Sequence, residues 1–328
     1  MILTRTPFRV SFFGGGTDYA PWFARHGGAV LAATIRSYCN ITCRELAPLQ
    51  EFRSRIVWSR IELVREHCEV KHPVVRAVLV HRAVTRGLEI HHDGELPARS
   101  GLGTSSAFTL GLLRALEALA GEAPASPSSL ASEAIHVERH LLGEHGGIQD
   151  PIQIAHGGLN RICIERDGRF TVDPLPLAPA RRRALEARLV LCFMGSTRHS
   201  SAAARETEAA IPEREPELHR LRELVDEAVA LLCDERQELD AFGELLDEGW
   251  RVKRRLAASI SSAAIDETYA LGRNAGAVGG KLLGAGGGGF LLFYVRPEER
   301  EKLARALAPL PLLPLAFDAA GPRVFRPD

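Results

Sequence analysis

The 328-residue chain lacks several features that mark common protein classes. No apolar stretch approaches the length of a membrane span, and the first residues are too interrupted, by Arg5 and Arg9, to form a signal peptide. Lys and Arg, 41 in all, balance 41 Asp and Glu, so no net charge attracts nucleic acid or an anionic membrane. The six cysteines contain no C-x-x-C pair, which disfavours a zinc site and favours reduced thiols. These absences predict a cytoplasmic protein that binds neither nucleic acid nor a membrane.

The most informative segment, LPARSGLGTSSA at 96–107, lacks the lysine that the commonest phosphate-binding loop carries. Gly101 and Gly103 let the backbone turn tightly and approach an anion closely, and the apolar spacing that follows predicts a helix over 106–121. Hydroxyl groups and free N–H groups therefore stand at the start of that helix, on Thr104, Ser105 and Ser106. The segment predicts a phosphate site. By itself it fits a solvated loop before a core helix equally well.

Neither of two common phosphate-loop patterns fits this segment. The Walker pattern G-x-x-x-x-G-K-[ST] needs a lysine after Gly103, and G-x-G-x-x-G needs a glycine at the place of Ser106. The segment instead resembles the central motif of the GHMP kinase superfamily (galactokinase, homoserine kinase, mevalonate kinase and phosphomevalonate kinase), which reads roughly P-x-x-x-G-L-G-S-S-A. Thr104 replaces the first serine and Ser106 the first alanine. The resemblance implies an ATP site formed by Pro97, Arg99, Ser100, Gly101, Leu102, Gly103, Thr104, Ser105 and Ser106.

A second segment, RTPFRVSFFGGGTDY at 5–19, resembles the first motif of the same superfamily. In that motif a cation on a strand lies near the transferred phosphoryl group and an aspartate binds sugar hydroxyls. The resemblance assigns these roles to Arg9, as a catalytic residue, and to Asp18. It also implies that the neighbouring loop contacts the substrate through Gly15, Gly16 and Thr17.

A third segment, KLLGAGGGGFLLFYV at 281–295, resembles the superfamily's last motif, a glycine loop that packs against the nucleotide site. Its glycines also satisfy G-x-G-x-x-G, but an apolar strand follows Gly289 where a dinucleotide-binding unit would have a helix. Lys281 and Gly286 are the predicted substrate contacts here. With three motifs in the expected order, the chain is identified as a member of the superfamily.

The resemblance also implies a magnesium site and a catalytic base. Glu138, in the predicted helix AIHVERHLLG, and Ser105 would bind Mg²⁺, and oxygen ligands of this kind suit that ion. Asp150, in GGIQD, would act as the base. The alternative for Glu138 is a charge on a helix surface. Asp150 before Pro151 equally fits an N-cap followed by an N1 proline, and Pro151 departs from the polar residue that relatives often carry.

The order of predicted elements indicates an α+β protein with helices packed on an antiparallel sheet in each half. We expect two domains, 1–180 for ATP binding and 181–328, with the Pro/Ala/Arg segment 174–183 as the linker. The resemblance implies an N-terminal domain like domain 2 of ribosomal protein S5, a C-terminal ferredoxin-like domain and a cleft between them.

Within the superfamily, the chain most resembles bacterial kinases that phosphorylate the anomeric hydroxyl of D-glycero-D-manno-heptose 7-phosphate for the synthesis of nucleotide-activated heptose. The features are the triple glycine, GIQD, FMGSTRHSS at 193–201, EGWRVKRRLAASIS at 248–261 and the last glycine loop. Arg198, Lys253 and Lys281 are candidates to bind the phosphate of such a sugar. Both lysines equally fit solvated surface positions.

The implied partners are ATP and a small sugar phosphate, and a homo-oligomer is compatible with the sequence. Two alternatives stay open: another sugar 1-kinase of fucose or galactose type, and a catalytically silent, ligand-binding regulator. The joint presence of Arg9, Ser105, Glu138 and Asp150 disfavours the silent protein.

Overall fold

The computed structural model describes residues 1–195 and 200–326, which form two β-sheets covered by helices. The strands are β1 Ile2–Phe13, β2 Gly28–Glu45, β3 Ser54–Val57, β4 Ile61–Val64, β5 Leu88–Gly94, β6 Leu159–Ile164, β7 Phe170–Pro174, β8 Leu189–Phe193, β9 Ala277–Leu282, β10 Phe290–Val295, β11 Leu312–Pro314 and β12 Arg323–Phe325. The α-helices are α1 Ala20–His26, α2 Pro73–His81, α3 Thr104–Ala120, α4 Pro127–Ile135, α5 Gln149–His156, α6 Pro179–Glu186, α7 Ser200–Ala210, α8 Glu215–Cys233, α9 Asp240–Lys253, α10 Ala263–Asn274 and α11 Arg300–Leu307. A π-helical segment, His136–Leu141, directly continues α4. None of the described helices is both long and apolar enough to cross a membrane.

The first sheet has eight strands and is organised around the long strand β2. One edge of β2 pairs antiparallel with β1 along most of its length. On its other edge, residues 28–33 pair with β6 and residues 39–45 pair with β5, so two branches of the sheet share one strand. The ladder between β1 and β2 changes register after Pro7, as expected for a residue without an N–H group. The end of β1 that follows this shift carries the first predicted motif.

Helix α3 lies against β1 and β2 and places the phosphate-loop segment beside the sheet. It begins after Gly103, whose φ of +72° is left-handed, and ends at Gly121, also left-handed at +72°. The helix can approach the sheet closely because Gly111 has no side chain: a Cβ there would lie 2.8 Å from Oγ1 of Thr6. Thr4 Oγ1 donates to the Gly111 carbonyl at 3.0 Å, which holds this close approach.

The second sheet has four antiparallel strands in the order β11-β8-β10-β9. Along the chain, helices α7 to α10 separate β8 from β9, and α11 separates β10 from β11. This β-α-β-β-α-β pattern with the third strand between the first two is the ferredoxin-like arrangement that we expected. The central strand FLLFYV of β10 is buried at every position.

The predicted linker is partly helical, because Pro179 takes the first position of α6 and Ala178 the N-cap position. The sheets also do not divide the chain at one point: β12, near the end of the chain, pairs with β1 in the first sheet. The division at residue 180 stays a prediction.

The two sheets are joined where the predicted phosphate loop, in segment 96–107, contacts the glycine-rich loop after β9. A Cβ on Gly101 would lie 2.5 Å from the Leu283 carbonyl oxygen, and one on Gly284 would lie 2.6 Å from the Cα of Gly101. The Phe290 N–H donates to the Ser100 carbonyl at 3.2 Å. The loop after β9 therefore reaches the first sheet by backbone contact that leaves no room for side chains.

This contact predicts an unequal cost for two matched glycine substitutions. Gly284 and Gly121 have φ values of +73° and +72°, so alanine strains both backbones alike, by about 1–2 kcal/mol. Nothing lies within 4 Å of a Cβ at Gly121, whereas at Gly284 the new methyl group collides with backbone. We expect Gly284→Ala to lower the melting temperature by several degrees more than Gly121→Ala, measured by thermal denaturation. Equal decreases would contradict the contact.

Candidate active site

A cleft of about 540 Å³ opens where four segments meet: the predicted phosphate loop, the first glycine loop (residues 14–18, directly after β1), the π-helical segment and the start of α5. Residues from the second half of the chain, including Lys253 and Leu256, close its other side. The cleft brings together most of the predicted site residues: Arg9, Gly15, Gly16, Asp18, Arg99, Gly101, Gly103, Thr104, Ser105, Ser106, Glu138, Asp150 and Lys281.

Arg9 and Asp150 form a bidentate ion pair in this cleft. Arg9 lies on β1 with a side chain only 5% exposed, and its Nε donates to Asp150 Oδ1 at 2.6 Å while a terminal nitrogen donates to Oδ2 at 2.5 Å. The remaining terminal nitrogen donates to the Gly101 carbonyl at 2.6 Å. One guanidinium thus fixes the orientation of the carboxylate and anchors the phosphate loop.

Asp150 is not an N-cap, so that alternative is wrong. Helix α5 begins one residue earlier, at Gln149, and Ile148 occupies the N-cap position without a side-chain hydrogen bond. Asp150 stands in the first turn with its carboxylate on Arg9, and Pro151 is the third residue of the helix. A carboxylate in the first turn of a helix is also favoured by the helix dipole.

Asp18 is fully buried beneath the loop that leads to Asp150. One carboxylate oxygen accepts from the Gly16 N–H at 2.9 Å and the other from the Gln149 N–H at 3.2 Å. A Cβ on Gly147 would lie 1.7 Å from Oδ2 of Asp18, so only glycine permits this packing. Burial raises the pKa of Asp18, against the lowering effect of the backbone N–H groups and with a further rise from Asp150. The Asp18 carboxylate therefore holds the first glycine loop against the segment that leads into α5, and it also lines the cleft.

The first turn of α3 carries the N–H groups that are predicted to bind phosphate. Gly103 occupies the N-cap position, and in the described part of the chain no side chain caps this turn. Thr104, Ser105 and Ser106 all line the cleft at this point, and Thr104 Oγ1 accepts from the Arg99 N–H at 3.2 Å. Uncapped N–H groups at a helix start are a physical basis for binding phosphate.

Glu138 lies on the π-helical segment and is 1% exposed. Within the described residues its Oε1 has no hydrogen-bond partner, and Arg139 donates a long hydrogen bond, 3.4 Å, to its Oε2. Burial raises the pKa of Glu138 to about 8, although Arg139 and Ser106 lower it. The surface-charge alternative for Glu138 is therefore wrong. A buried carboxylate oxygen without a partner, beside serine hydroxyls in one cleft, fits a divalent cation with a preference for oxygen ligands.

Five predicted residues within the described part of the chain do not line the cleft. One of them, Ser100, contacts the loop after β9 through its backbone carbonyl, which accepts from the Phe290 N–H. Thr17 is buried and its hydroxyl bonds to the Gly14 and Ala29 carbonyls, so it holds the first glycine loop together. Leu102 is a core residue, Pro97 is exposed and Gly286 packs on Ile260. Arg198 lies outside the described residues. The substrate and nucleotide contacts predicted for these residues stay predictions.

Lys253 and Lys281 are not surface lysines, since they are 8% and 6% exposed and line the cleft. Other residues line the cleft without having been predicted from the sequence, among them Arg139 and Gln149. Arg139 contacts Glu138, and Gln149 has a buried amide oxygen without a partner in the described part of the chain. Arg139 and Gln149 are the sequence neighbours of Glu138 and Asp150, and this adjacency was the only feature of the sequence that could have indicated them.

Comparison with known proteins agrees with the three motifs. The family model described as GHMP kinases N terminal domain matches residues 68–158, and that of GHMP kinases C terminal matches residues 211–310. A D-glycero-alpha-D-manno-heptose 7-phosphate kinase of Campylobacter jejuni subsp. jejuni serotype O:2 is 27% identical over 322 residues, 93% of each chain. A mevalonate kinase of Thermococcus gammatolerans is 30% identical over 258 residues, 75% of this chain and 67% of its own.

A solved structure shows the same fold along the whole chain. The crystal structure of a D-glycero-D-manno-heptose 1-phosphate kinase from Bacteriodes thetaiotaomicron matches with a TM-score of 0.81, covers 100% of both chains and is 24% identical. The two-domain α+β fold that we expected is thereby confirmed. The chain belongs to the GHMP kinase family and is an ATP-dependent phosphotransferase.

Proposed function

We propose that this kinase uses ATP and Mg²⁺ to phosphorylate the anomeric hydroxyl of a sugar, and that its acceptor is D-glycero-D-manno-heptose 7-phosphate, which becomes the 1,7-bisphosphate. The observation that carries the proposal is the Arg9–Asp150 pair, held on the phosphate loop inside a cleft. Similarity to the Campylobacter jejuni heptose 7-phosphate kinase along 93% of both chains supports the choice of acceptor.

Asp150 has the placement of a base for this reaction. Its side chain is 23% exposed and lines the cleft, and Arg9 donates a hydrogen bond to each of its two oxygens. The carboxylate accepts the proton of the anomeric hydroxyl, the hydroxyl oxygen forms a bond to the γ-phosphorus of ATP, and the bond to the β,γ-bridging oxygen breaks to release ADP. Arg9 offsets negative charge at the transferred group, and the first turn of α3 binds the remaining phosphates.

Glu138 and Ser105 are the residues that would hold Mg²⁺, with Ser106 next to Glu138. A divalent ion held there would supply positive charge to offset the negative charge of the ATP phosphates. Asp18, in the adjoining part of the cleft, would accept hydrogen bonds from sugar hydroxyls, as the family resemblance implies.

A substitution at Asp150 tests the base. Asn keeps the shape of the side chain but cannot take the proton, so we expect Asp150→Asn to lower kcat at least about a hundredfold while the KM for ATP stays near wild type. The matched control is Asp167→Asn, which removes an exposed carboxylate that also pairs with an arginine, Arg169. Circular dichroism at the assay temperature verifies folding, because Arg9 loses its ionic partner. A variant that retains most of its turnover would remove Asp150 from the mechanism.

Substitutions at Ser105 and Glu138 test the metal site. We expect Ser105→Ala and Glu138→Gln each to raise the Mg²⁺ concentration for half-maximal turnover about tenfold or more, since each removes an oxygen ligand. Calorimetric titration of Mg²⁺ with a non-hydrolysable ATP analogue gives a second readout. Glu122→Gln, whose carboxylate is 53% exposed after α3, is the control. Wild-type turnover after exhaustive removal of divalent ions would refute the site.

A panel of acceptors tests the substrate. Removing one charge-assisted hydrogen bond from a closed site costs a few kcal/mol, so kcat/KM for heptose 7-phosphate should exceed that for free heptose about a hundredfold or more. Fucose and galactose belong in the same panel. Equal efficiency with heptose and its 7-phosphate would indicate a free-sugar kinase. If none of these sugars supported ATP turnover, the catalytically silent regulator would be the remaining interpretation.

A further inference from the structure

Lysine is rare in this chain, and two of its lysine residues are buried in the cleft. Of 41 Lys and Arg residues, only four are lysine. Lys71 and Lys302 are exposed, whereas Lys253 on α9 and Lys281 on β9 are more than nine-tenths buried. Almost all other basic positions of the chain carry arginine. Lysine at these two buried positions therefore indicates a need for its compact ammonium group with three rotatable donors.

Backbone carbonyls hold both ammonium groups and leave donors free. Lys253 Nζ donates to the Gly284 carbonyl at 2.6 Å and the Leu282 carbonyl at 3.2 Å. Lys281 Nζ donates to the Phe12 carbonyl at 2.8 Å. Of the six ammonium N–H groups, three therefore have no acceptor within the described residues. Three is also the number of terminal oxygens on a phosphate monoester.

Within the described residues, the two lysines form no close ion pair with a carboxylate. No carboxylate oxygen in residues 1–195 and 200–326 lies within 4.0 Å of either ammonium group. Asp150 pairs with Arg9, and Asp18 already accepts two backbone hydrogen bonds. Burial, together with Arg9, lowers the pKa of Lys253 to about 8, and burial, Lys253 and Arg9 lower that of Lys281 well below its usual range, although the charge of Asp18 raises both pKa values. Buried cations that are only partly compensated are costly, so this arrangement is explained if a bound anion supplies further negative charge.

We propose that Lys253 and Lys281 together bind the phosphate monoester group of the acceptor sugar. This inference rests on the proposed sugar-phosphate kinase activity. The phosphates of ATP have their predicted donors at the start of α3, and Arg9 already uses three of its five N–H groups for Asp150 and the Gly101 carbonyl. Lys281 contacts β1 just before the glycine loop that carries Asp18, which places the ammonium groups beside the predicted sugar site. Their charge selects a phosphorylated sugar over the free sugar.

The kinetic test uses Lys253→Met and Lys281→Met, which keep length and remove charge, with the exposed Lys302→Met as control. In each cleft variant we expect the preference for heptose 7-phosphate over free heptose, measured as the ratio of the two kcat/KM values, to fall about a hundredfold, because a charge-assisted hydrogen bond to the phosphate is removed. The KM for ATP and all values of Lys302→Met stay at wild type. A raised KM for ATP with unchanged discrimination between the two sugars would assign the lysines to the nucleotide and overturn the proposal.

A binding test without turnover separates this site from the proposed reaction. Sulfate serves as the probe, with chloride at matched ionic strength as reference. Sulfate stabilises folded proteins in general and can also bind at the start of α3, so the readout is the size of the shift. We expect sulfate to raise the melting temperature of the wild type and Lys302→Met by clearly more than that of Lys253→Met or Lys281→Met. If heptose 7-phosphate is not a substrate but the larger sulfate shift still depends on both lysines, the acceptor is wrong and the anion site stands. If the sulfate shift of both cleft variants equals that of the wild type, the anion site is refuted.

Discussion

The ion pair between Arg9 and Asp150 is the interaction on which the site depends. It joins three parts of the molecule that are distant in sequence: strand β1, the phosphate loop through the Gly101 carbonyl, and helix α5. Because the guanidinium is almost fully buried, its charge would be costly without the carboxylate, and because the pair is bidentate, neither side chain can rotate freely. Because the buried Arg9 needs a carboxylate partner, the ion pair also fixes the position of Asp150, the group proposed as the base.

The second constraint is close backbone packing at glycine. The loop after β9 meets the phosphate loop at Gly101 and Gly284, and the loop before α5 meets Asp18 at Gly147. In each case a methyl group would occupy space already filled by backbone or by a carboxylate. These contacts bring the second sheet to the edge of the first, so that residues from α9 and β9 complete a cleft whose phosphate-binding part belongs to α3. Rigid backbone contacts of this kind preorganise a site without side-chain rearrangement.

The cleft also contains buried ionisable side chains that lack a close partner of opposite charge. In the described part of the chain, one oxygen of Glu138 has no hydrogen-bond partner, and neither Lys253 nor Lys281 forms an ion pair with a carboxylate. Elsewhere most buried apolar side chains form one continuous core. In the proposed function, a divalent cation at the carboxylate and an anion at the ammonium groups would offset the cost of burying these groups. The proposed function would thus require side chains that stability alone does not favour at these positions.

The sequence by itself determined the family and the α+β class and predicted the phosphate loop, because glycines, hydroxyl residues and a helix start act locally and in a fixed order. It also predicted roles for Arg9 and Asp150, but it left Asp150 open between a cap and a base. Only the tertiary structure decided that Asp150 is not a cap, since its partner lies 141 positions away. Likewise, only packing between distant elements decided that Thr17 points inward and that Lys253 is buried. Side-chain chemistry and turns are local properties, whereas burial and pairing belong to the folded chain as a whole.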